Sequence, residues 1–234
     1  MPLLKTSLIR KTTLFLVAAL LSVSAMALDF NETQALASQG NVDAQYNLGV
    51  MYDEGLGVRQ DYAKAFEWNQ KAADQELSES QNNLGMMYDN GEGVRQDYAK
   101  AFEWYQKAAN QGDAKAQYNF GGMFYEGKGV RQDYAKAFEW FQKAANQGYA
   151  KAQHNLGVMY AKGEGVRQDY AKAIEWYQKS ADQGSSDSQY TLGVMYAKGE
   201  GVRQNTATAK EWFGKACDNG DQDGCDDYRI LNLR

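Results

Sequence analysis

Residues 44–76 read AQYNLGVMYDEGLGVRQDYAKAFEWNQKAADQE, and this stretch decides the fold. Its Leu48-Gly49 pair returns as Leu84-Gly85, Phe120-Gly121, Leu156-Gly157 and Leu192-Gly193, each time 36 residues on. All five tryptophans keep the same period: Trp68, Trp104, Trp140, Trp176 and Trp212. So does the turn Gly55-x-Gly57-Val58, seen again at Gly91, Gly93 and Val94, at Gly127, Gly129 and Val130, at Gly163, Gly165 and Val166, and at Gly199, Gly201 and Val202. Self-similarity at a fixed period of this size marks a stacked-repeat architecture. The register divides the chain into 41–76, 77–112, 113–148, 149–184 and 185–220.

Each unit reads as two helices. Over 41–53, Ala44, Leu48, Met51 and Tyr52 fall on one apolar stripe of a helical wheel. Gly55-Leu56-Gly57 ends that helix, because glycine is poor inside helices and tolerates left-handed turns. The second helix starts near Asp61, a good N-cap, and carries Ala65, Phe66, Trp68, Ala72 and Ala73 inward. Gly112, Gly148, Gly184 and Gly220 stand where a helix-terminating glycine belongs. The first unit has Glu76 there, so its turn is expected to be the least regular. Gly49 and its equivalents interrupt a helix at a cost of about 1 kcal/mol each relative to Ala. Close approach of the paired helix is the expected reason, with the Trp ring or the next backbone filling the space. The Leu-Gly, Trp and Tyr52 columns are therefore read as packing. Pairs such as Glu67 and Lys71 read as i,i+4 surface supports.

One helix pair cannot bury its apolar stripe alone, whereas stacked pairs form a continuous core. Residues 28–40 align with the end of the second helix and read as an N-terminal cap. Residues 221–234 align with the first helix but have Tyr228-Arg229 in place of Leu-Gly, and read as a C-terminal cap.

The pattern A-x-x-x-L-G-x-x-Y-x-x-G-x-G-V, then D-Y-x-K-A-x-x-W-x-x-K-A-A-x-x-G, resembles the Sel-1-like repeat family, relatives of tetratricopeptide repeats, over 41–220. The resemblance implies an all-α, right-handed α/α superhelical solenoid that serves as a scaffold or adaptor for a protein or peptide partner. It implies no single activity and no cofactor.

Composition agrees with a folded, exported chain. Hydrophobic residues make up 44% and charged residues 24% of the 234, which opposes disorder. Lys5, Arg10 and Lys11, the apolar run Leu14 to Val23, and Ala25-Met26-Ala27 have the layout of a secretory signal peptide cleaved after Ala27. The run is too short for a membrane anchor, which needs roughly 20 residues. Removing Lys5, Arg10 and Lys11 from the 25 basic residues leaves 22 against 30 acidic, a net charge of −8. That balance argues against a nucleic-acid partner. A monomeric periplasmic or secreted protein without stable membrane insertion is the expectation.

Cys217 and Cys225 are the only cysteines. They fall at the end of one helix and the start of the next, and in an exported chain an even count favours a disulfide. The secreted cysteine-rich branch of the family resembles this, with a Cys-x7-Cys pair bridging adjacent helices. A metal or redox site would lack partners, since no C-x-x-C motif and no nearby histidine occur.

Candidate binding residues lie in columns opposite the core stripe of the first helix. In the tetratricopeptide relatives the matching positions line a concave groove, and the resemblance carries that role over. One column reads Tyr46, Asn82, Tyr118, His154, Tyr190, and the next Val50, Met86, Gly122, Val158, Val194. A third reads Asp53, Asp89, Tyr125, Ala161, Ala197, and a fourth Glu54, Asn90, Glu126, Lys162, Lys198. These vary while VRQDYAKAFEW is identical in three units. A binding groove would vary this way, and so would a tolerant solvated face. Tyrosines offer rigid area with a hydroxyl, suited to peptide contacts.

No catalytic residue is assigned. His154 is the single histidine and has no second base or metal ligand beside it in the sequence. Secreted relatives in the cysteine-rich branch have been linked to penicillin binding or weak β-lactam hydrolysis, but neither S-x-x-K nor K-T-G occurs here. A β-lactam-handling protein and a peptidoglycan or glycan binder remain as alternatives to the scaffold reading. Gly55-x-Gly57 lacks the lysine and preceding strand of a phosphate loop.

Overall fold

The computed structural model describes residues 30–233. The expected signal segment lies outside the described residues. Every regular element among them is a helix: α1 (30–38), α2 (Val42–Glu54), α3 (Tyr62–Asp74), α4 (Ser78–Asn90), α5 (Tyr98–Asn110), α6 (Ala114–Glu126), α7 (Tyr134–Asn146), α8 (Ala150–Lys162), α9 (Tyr170–Ala181), α10 (Ser186–Lys198), α11 (Thr206–Asp218) and α12 (Gln222–Asn232). The chain divides into two compact units, the first ending at Ala101 and the second beginning at Phe102. Consecutive helices pack as pairs within each unit, the arrangement of a helical-repeat solenoid.

The punctuation is chemical. Asn41, Asp61, Asp113, Asp133, Asp169, Ser185, Asn205 and Asp221 cap helix starts, each side chain accepting a backbone N–H three residues on. The first helix of each pair ends at a left-handed glycine, as at Gly55 with φ 73° and Gly163 with φ 74°. A glutamine then closes the turn. Gln60 Nε2 donates to the Asp53 carbonyl, Gln96 to Asp89, Gln132 to Tyr125, Gln168 to Ala161 and Gln204 to Ala197. Each satisfies a carbonyl that the helix end leaves without an intrahelical donor. The constant glutamine of the V-R-Q sequence thus has a structural purpose.

Two glycine positions require their missing Cβ. The second glycine of the turn lies against the preceding pair: a Cβ on Gly93 would collide with the Tyr62 carbonyl, and one on Gly165 with the Tyr134 carbonyl. The mid-helix glycine also marks a close approach, though not to the tryptophan alone. A Cβ on Gly157 would lie 2.6 Å from the Tyr177 ring, on Gly193 2.5 Å from Phe213, and on Gly121 2.9 Å from Phe141. The ring filling the space belongs to the residue after each Trp. In the first repeat that residue is Asn69, 1% exposed, which donates to the Ala65 carbonyl and accepts from Asn83.

The tryptophans themselves are half-buried at 68, 104, 140 and 176, and buried at 212. Lysines cover them: Lys71 Nζ lies 3.8 Å from the Trp68 ring centre, and Lys107, Lys143, Lys179 and Lys215 lie 3.5–4.1 Å from theirs. Lys71 therefore turns to Trp68, not to Glu67 as the helical spacing suggested. A second correction concerns Glu76. It adopts φ 67°, the left-handed conformation of the glycines it replaces. Its N–H still reaches the Ala73 carbonyl at 3.0 Å, and Leu77 reaches Ala72, as Gly148 and Tyr149 reach Ala145 and Ala144. The turn is as regular as the others.

Successive pairs meet edge-to-face. Phe66 meets Tyr88 with ring centres 5.5 Å apart, and Phe138 meets Tyr160 at 5.3 Å. Phe30 of α1 meets Tyr52 in the same way at 5.8 Å, so α1 supplies the face of a preceding second helix. At the far end α12 packs on α11 through Gly224, and the disulfide Cys217–Cys225 joins the two with Cα atoms 4.5 Å apart. Arg229 occupies the mid-helix glycine position in α12 and pairs with Asp226 at 2.9 Å.

Candidate binding face

Within each unit the variable columns fall on the same side of its first helices. In the first unit Glu54, Asn90 and Met86 are exposed, while Tyr46, Val50, Asp53 and Asp89 are half-buried. Asn82 departs from the expectation: it is 4% exposed, and its Nδ2 points to Met86 Sδ at 3.6 Å. In the second unit Glu126, Lys162 and Lys198 are exposed. Tyr118, Gly122, Tyr125, His154, Val158, Ala161, Tyr190, Val194 and Ala197 are half-buried.

The column headed by Tyr46 is a joint as well as a surface. In the second unit each member lies against the buried ring of its own second helix: Tyr118 on Phe141 at 5.5 Å, His154 on Tyr177 at 5.4 Å, Tyr190 on Phe213 at 5.6 Å. Each also makes a polar contact with the next first helix. Tyr118 bonds to Asn155, His154 Nδ1 lies 2.8 Å from Ser188 Oγ, and Tyr190 bonds to Asp227. Sequence reading missed this double duty. The aromatic after each Trp was its available signal.

Charge differs between the units. Helices α2 and α4 carry Asp43, Asp53, Glu54, Glu79 and Asp89 and no basic residue. Burial raises the pKa of Asp53, and the nearby carboxylates of Glu92 and Glu54 raise it further. In the second unit Lys115, Lys151, Lys162 and Lys198 lie on α6, α8 and α10. Tyr125 donates to Glu164 at 2.7 Å, and Lys162 lies 3.8 Å from the same carboxylate. Burial, with that hydrogen bond and the Glu164 charge, pushes the Tyr125 pKa up to about 12. Burial also raises Tyr118 and Tyr177. Tyr190 is raised by burial first, then by Asp227 and Asp223.

The His154–Ser188 contact has the composition of a nucleophile and its base, but not the access. Ser188 is 0% exposed, and its hydroxyl donates to Ser180 Oγ at 2.9 Å. No substrate atom can reach it in this conformation. No group of three His, Cys, Asp or Glu side chains among the described residues could hold a metal ion. No helix among them is long and apolar enough to cross a membrane. An open cleft of about 690 Å³, lined by Tyr196, Val202, Arg203, Gln204, Asn205 and Thr206, lies at the α10–α11 loop rather than on the variable face. It lies where a following repeat's glycine loop would rest, by analogy with Gly165 on Tyr134.

Comparison with known proteins agrees with this geometry. The Sel1 repeat model matches residues 42–77, 78–113, 114–149, 150–185 and 186–221. A protective antigen of uropathogenic Escherichia coli, c5321, which displays an SLR fold, is 42% identical with a TM-score of 0.79. That match covers 83% of this chain, which spans only 42% of the antigen chain. A Sel1 repeat protein from Oxalobacter formigenes is 34% identical with a TM-score of 0.76, covering 83% of this chain and 86% of its own. A Sel1 repeat protein from Klebsiella pneumoniae is 26% identical with a TM-score of 0.57, covering 86% and 98%. No curated protein matches the sequence. With five consecutive copies of its repeat over most of its length, the chain belongs to the Sel1 repeat family.

Proposed function

We propose that this protein is an exported scaffold that binds a protein or peptide segment across the variable face of its first helices. Sel1 repeats generally mediate protein–protein interaction, which sets the class of function. The observation that carries the reading is the distribution of variation. The constant columns are accounted for by packing and turn closure. The columns of Tyr46, Val50, Asp53 and Glu54 differ from repeat to repeat, and on the first helices of each unit they keep solvent contact at all positions except Asn82. Half-buried tyrosines beside exposed lysines combine rigid area with charge, the make-up of a peptide-binding surface. The disulfide fits an oxidising compartment, as does the basic, apolar, small-residue order of residues 5–27.

The test is crosslinked capture from the native envelope. Tyr118→Phe and Tyr190→Phe keep the stacked rings and remove the hydroxyls, and Lys162→Glu and Lys198→Glu reverse exposed charges. The combined variant gives up the joint hydrogen bonds to Asn155 and Asp227 and so should melt somewhat lower, but it should stay folded with unchanged helicity at the capture temperature and lose its captured protein. Undiminished capture of the same protein would refute the assignment of this face.

A further inference from the structure

Three departures from the repeat pattern meet at one joint. His154 stands in a column of Tyr and Asn. Ser180 stands where Ala72, Ala108, Ala144 and Ala216 occur, and Ser188 where Ala44, Ala116 and Ala152 occur. The structure links all three. Ser180 Oγ donates to the Ala150 carbonyl at 2.9 Å, Ser188 Oγ lies 2.9 Å from Ser180 Oγ, and His154 Nδ1 lies 2.8 Å from Ser188 Oγ. Both serines are 0% exposed. By contrast Ser80, in the same column as Ser188, is sealed with no hydrogen-bond partner, because the positions of Ser180 and His154 are there Ala72 and Tyr46.

The direction of the relay follows from its end. A carbonyl has no proton to give, so Ser180 must donate to Ala150. With that proton committed, Ser180 Oγ can only accept from Ser188. Ser188 then has no proton left and accepts from Ser185 at 3.3 Å and from His154. The imidazole therefore holds its proton on Nδ1, and Nε2 keeps its lone pair. Among the described residues Nε2 has no hydrogen-bond partner and is not one of the sealed unpartnered atoms, so it keeps some contact with solvent.

We propose that the Ala150–Ser180–Ser188 relay presets His154 as the Nδ1–H tautomer, making Nε2 a fixed hydrogen-bond acceptor for an N–H or O–H group of the bound peptide. The peptide part rests on the binding reading of this face; the tautomer stands independently of it. The titratable and charged groups beside it are Tyr177 on α9, whose ring it meets at 5.4 Å, Asp187 on α10, and Lys151 three residues earlier on α8 itself. Burial lowers the His154 pKa, and Asp187 opposes this only in part, so the acceptor form prevails at neutral pH. Acidification protonates Nε2 and converts the acceptor into a donor.

A single histidine makes the test clean. Long-range proton–nitrogen NMR of the mature protein at neutral pH should show one imidazole with its proton on Nδ1. Ser188→Ala and Ser180→Ala, checked for unchanged helicity, should shift it toward the Nε2–H form. An Nε2–H ring in the parent overturns the proposal and leaves the binding reading untouched. Diethyl pyrocarbonate, which acylates unprotonated imidazole nitrogen, probes the second half. His154 should react in the free protein. In the complex captured from the envelope it should react about tenfold more slowly, the factor expected of one hydrogen bond. Equal reactivity in that complex removes the acceptor role.

Discussion

Replacing Glu76 by glycine should make the protein more stable. Glu76 is the one non-glycine residue with positive φ among the described residues, at 67°. Its counterparts Gly112, Gly148, Gly184 and Gly220 have φ of 96°, 89°, 88° and 91°. Space is not the constraint, because a Cβ added at any of those four would meet nothing within 4 Å. Conformation is. A side chain in the left-handed region costs about 1–2 kcal/mol. Glycine's extra freedom in the unfolded chain returns about 0.4–1 kcal/mol of that. Glu76 is exposed, and among the described residues its side chain has no hydrogen bond or ion pair that the change would remove. The net is a gain of roughly 0.5–1 kcal/mol, which in a chain this long raises Tm by about 1–4 °C. Stability in repeat arrays is local, so the sharper assay is hydrogen exchange. The amides of residues 76 and 77, bonded to the Ala73 and Ala72 carbonyls, should exchange more slowly in Glu76→Gly. Gly148→Glu should do the reverse at Gly148 and Tyr149. A lower Tm for Glu76→Gly, or a neutral Gly148→Glu, would refute the reasoning.

Other perturbations probe different contacts. Gly157→Ala gains about 1 kcal/mol of helix propensity but forces a Cβ to 2.6 Å from the Tyr177 ring. Overpacking should dominate and destabilise by about 1–2 kcal/mol net in urea unfolding, with partial rescue by Tyr177→Ala. Ser80→Ala removes a sealed hydroxyl that has no partner and should leave stability unchanged or raise it by about 1 kcal/mol; a clear loss would reveal a hidden partner. Tyr125 should ionise late, near pH 12, in an absorbance titration, and Glu164→Gln should bring it back toward the ordinary tyrosine range. Because its folded pKa is raised, the associated stability is complete below the ordinary tyrosine pKa of about 10 and fades as pH climbs toward 12. Cys217→Ala with Cys225→Ala should cost about 2–3 kcal/mol by the chain-entropy model, read first as faster exchange in α12.

Much of the fold was legible because period and chemistry coincide. The 36-residue spacing located every helix pair, and Asp61 and Gly55 announced a start and a stop that the structure places at those residues. What escaped was which atoms fill the space a glycine leaves. Gly157 implies a close neighbour, but only packing shows that the neighbour is Tyr177 rather than Trp176. The Trp176 ring is instead shared between the core and Lys179, 4.0 Å from its centre, a contact the i,i+4 rule for charged pairs could not anticipate. Glu76 was misjudged for a related reason. A residue type unsuited to a conformation predicts an altered turn. The hydrogen bonds of the turn outweigh about 1–2 kcal/mol of local strain, so the backbone kept its path and the residue bears the cost.

The variable columns were legible as positions but not as contacts. Aligning units shows that Tyr46, Asn82, Tyr118, His154 and Tyr190 are equivalent; it does not show what each one touches. In the second unit each touches a buried ring on one side and the next helix on the other, so variation there has two audiences. A tyrosine changed to histidine alters the surface and also the joint. The joint answers with Ser180 and Ser188, both absent from the equivalent joint that follows Tyr118, where Ala144 and Ala152 stand. Variation on a tolerant solvated face needs no compensating change beneath it. His154 is joined to two buried serines, so a change at this surface position also changes the joint beneath it, and on the proposed reading that relay is what would hold the imidazole in place for a ligand.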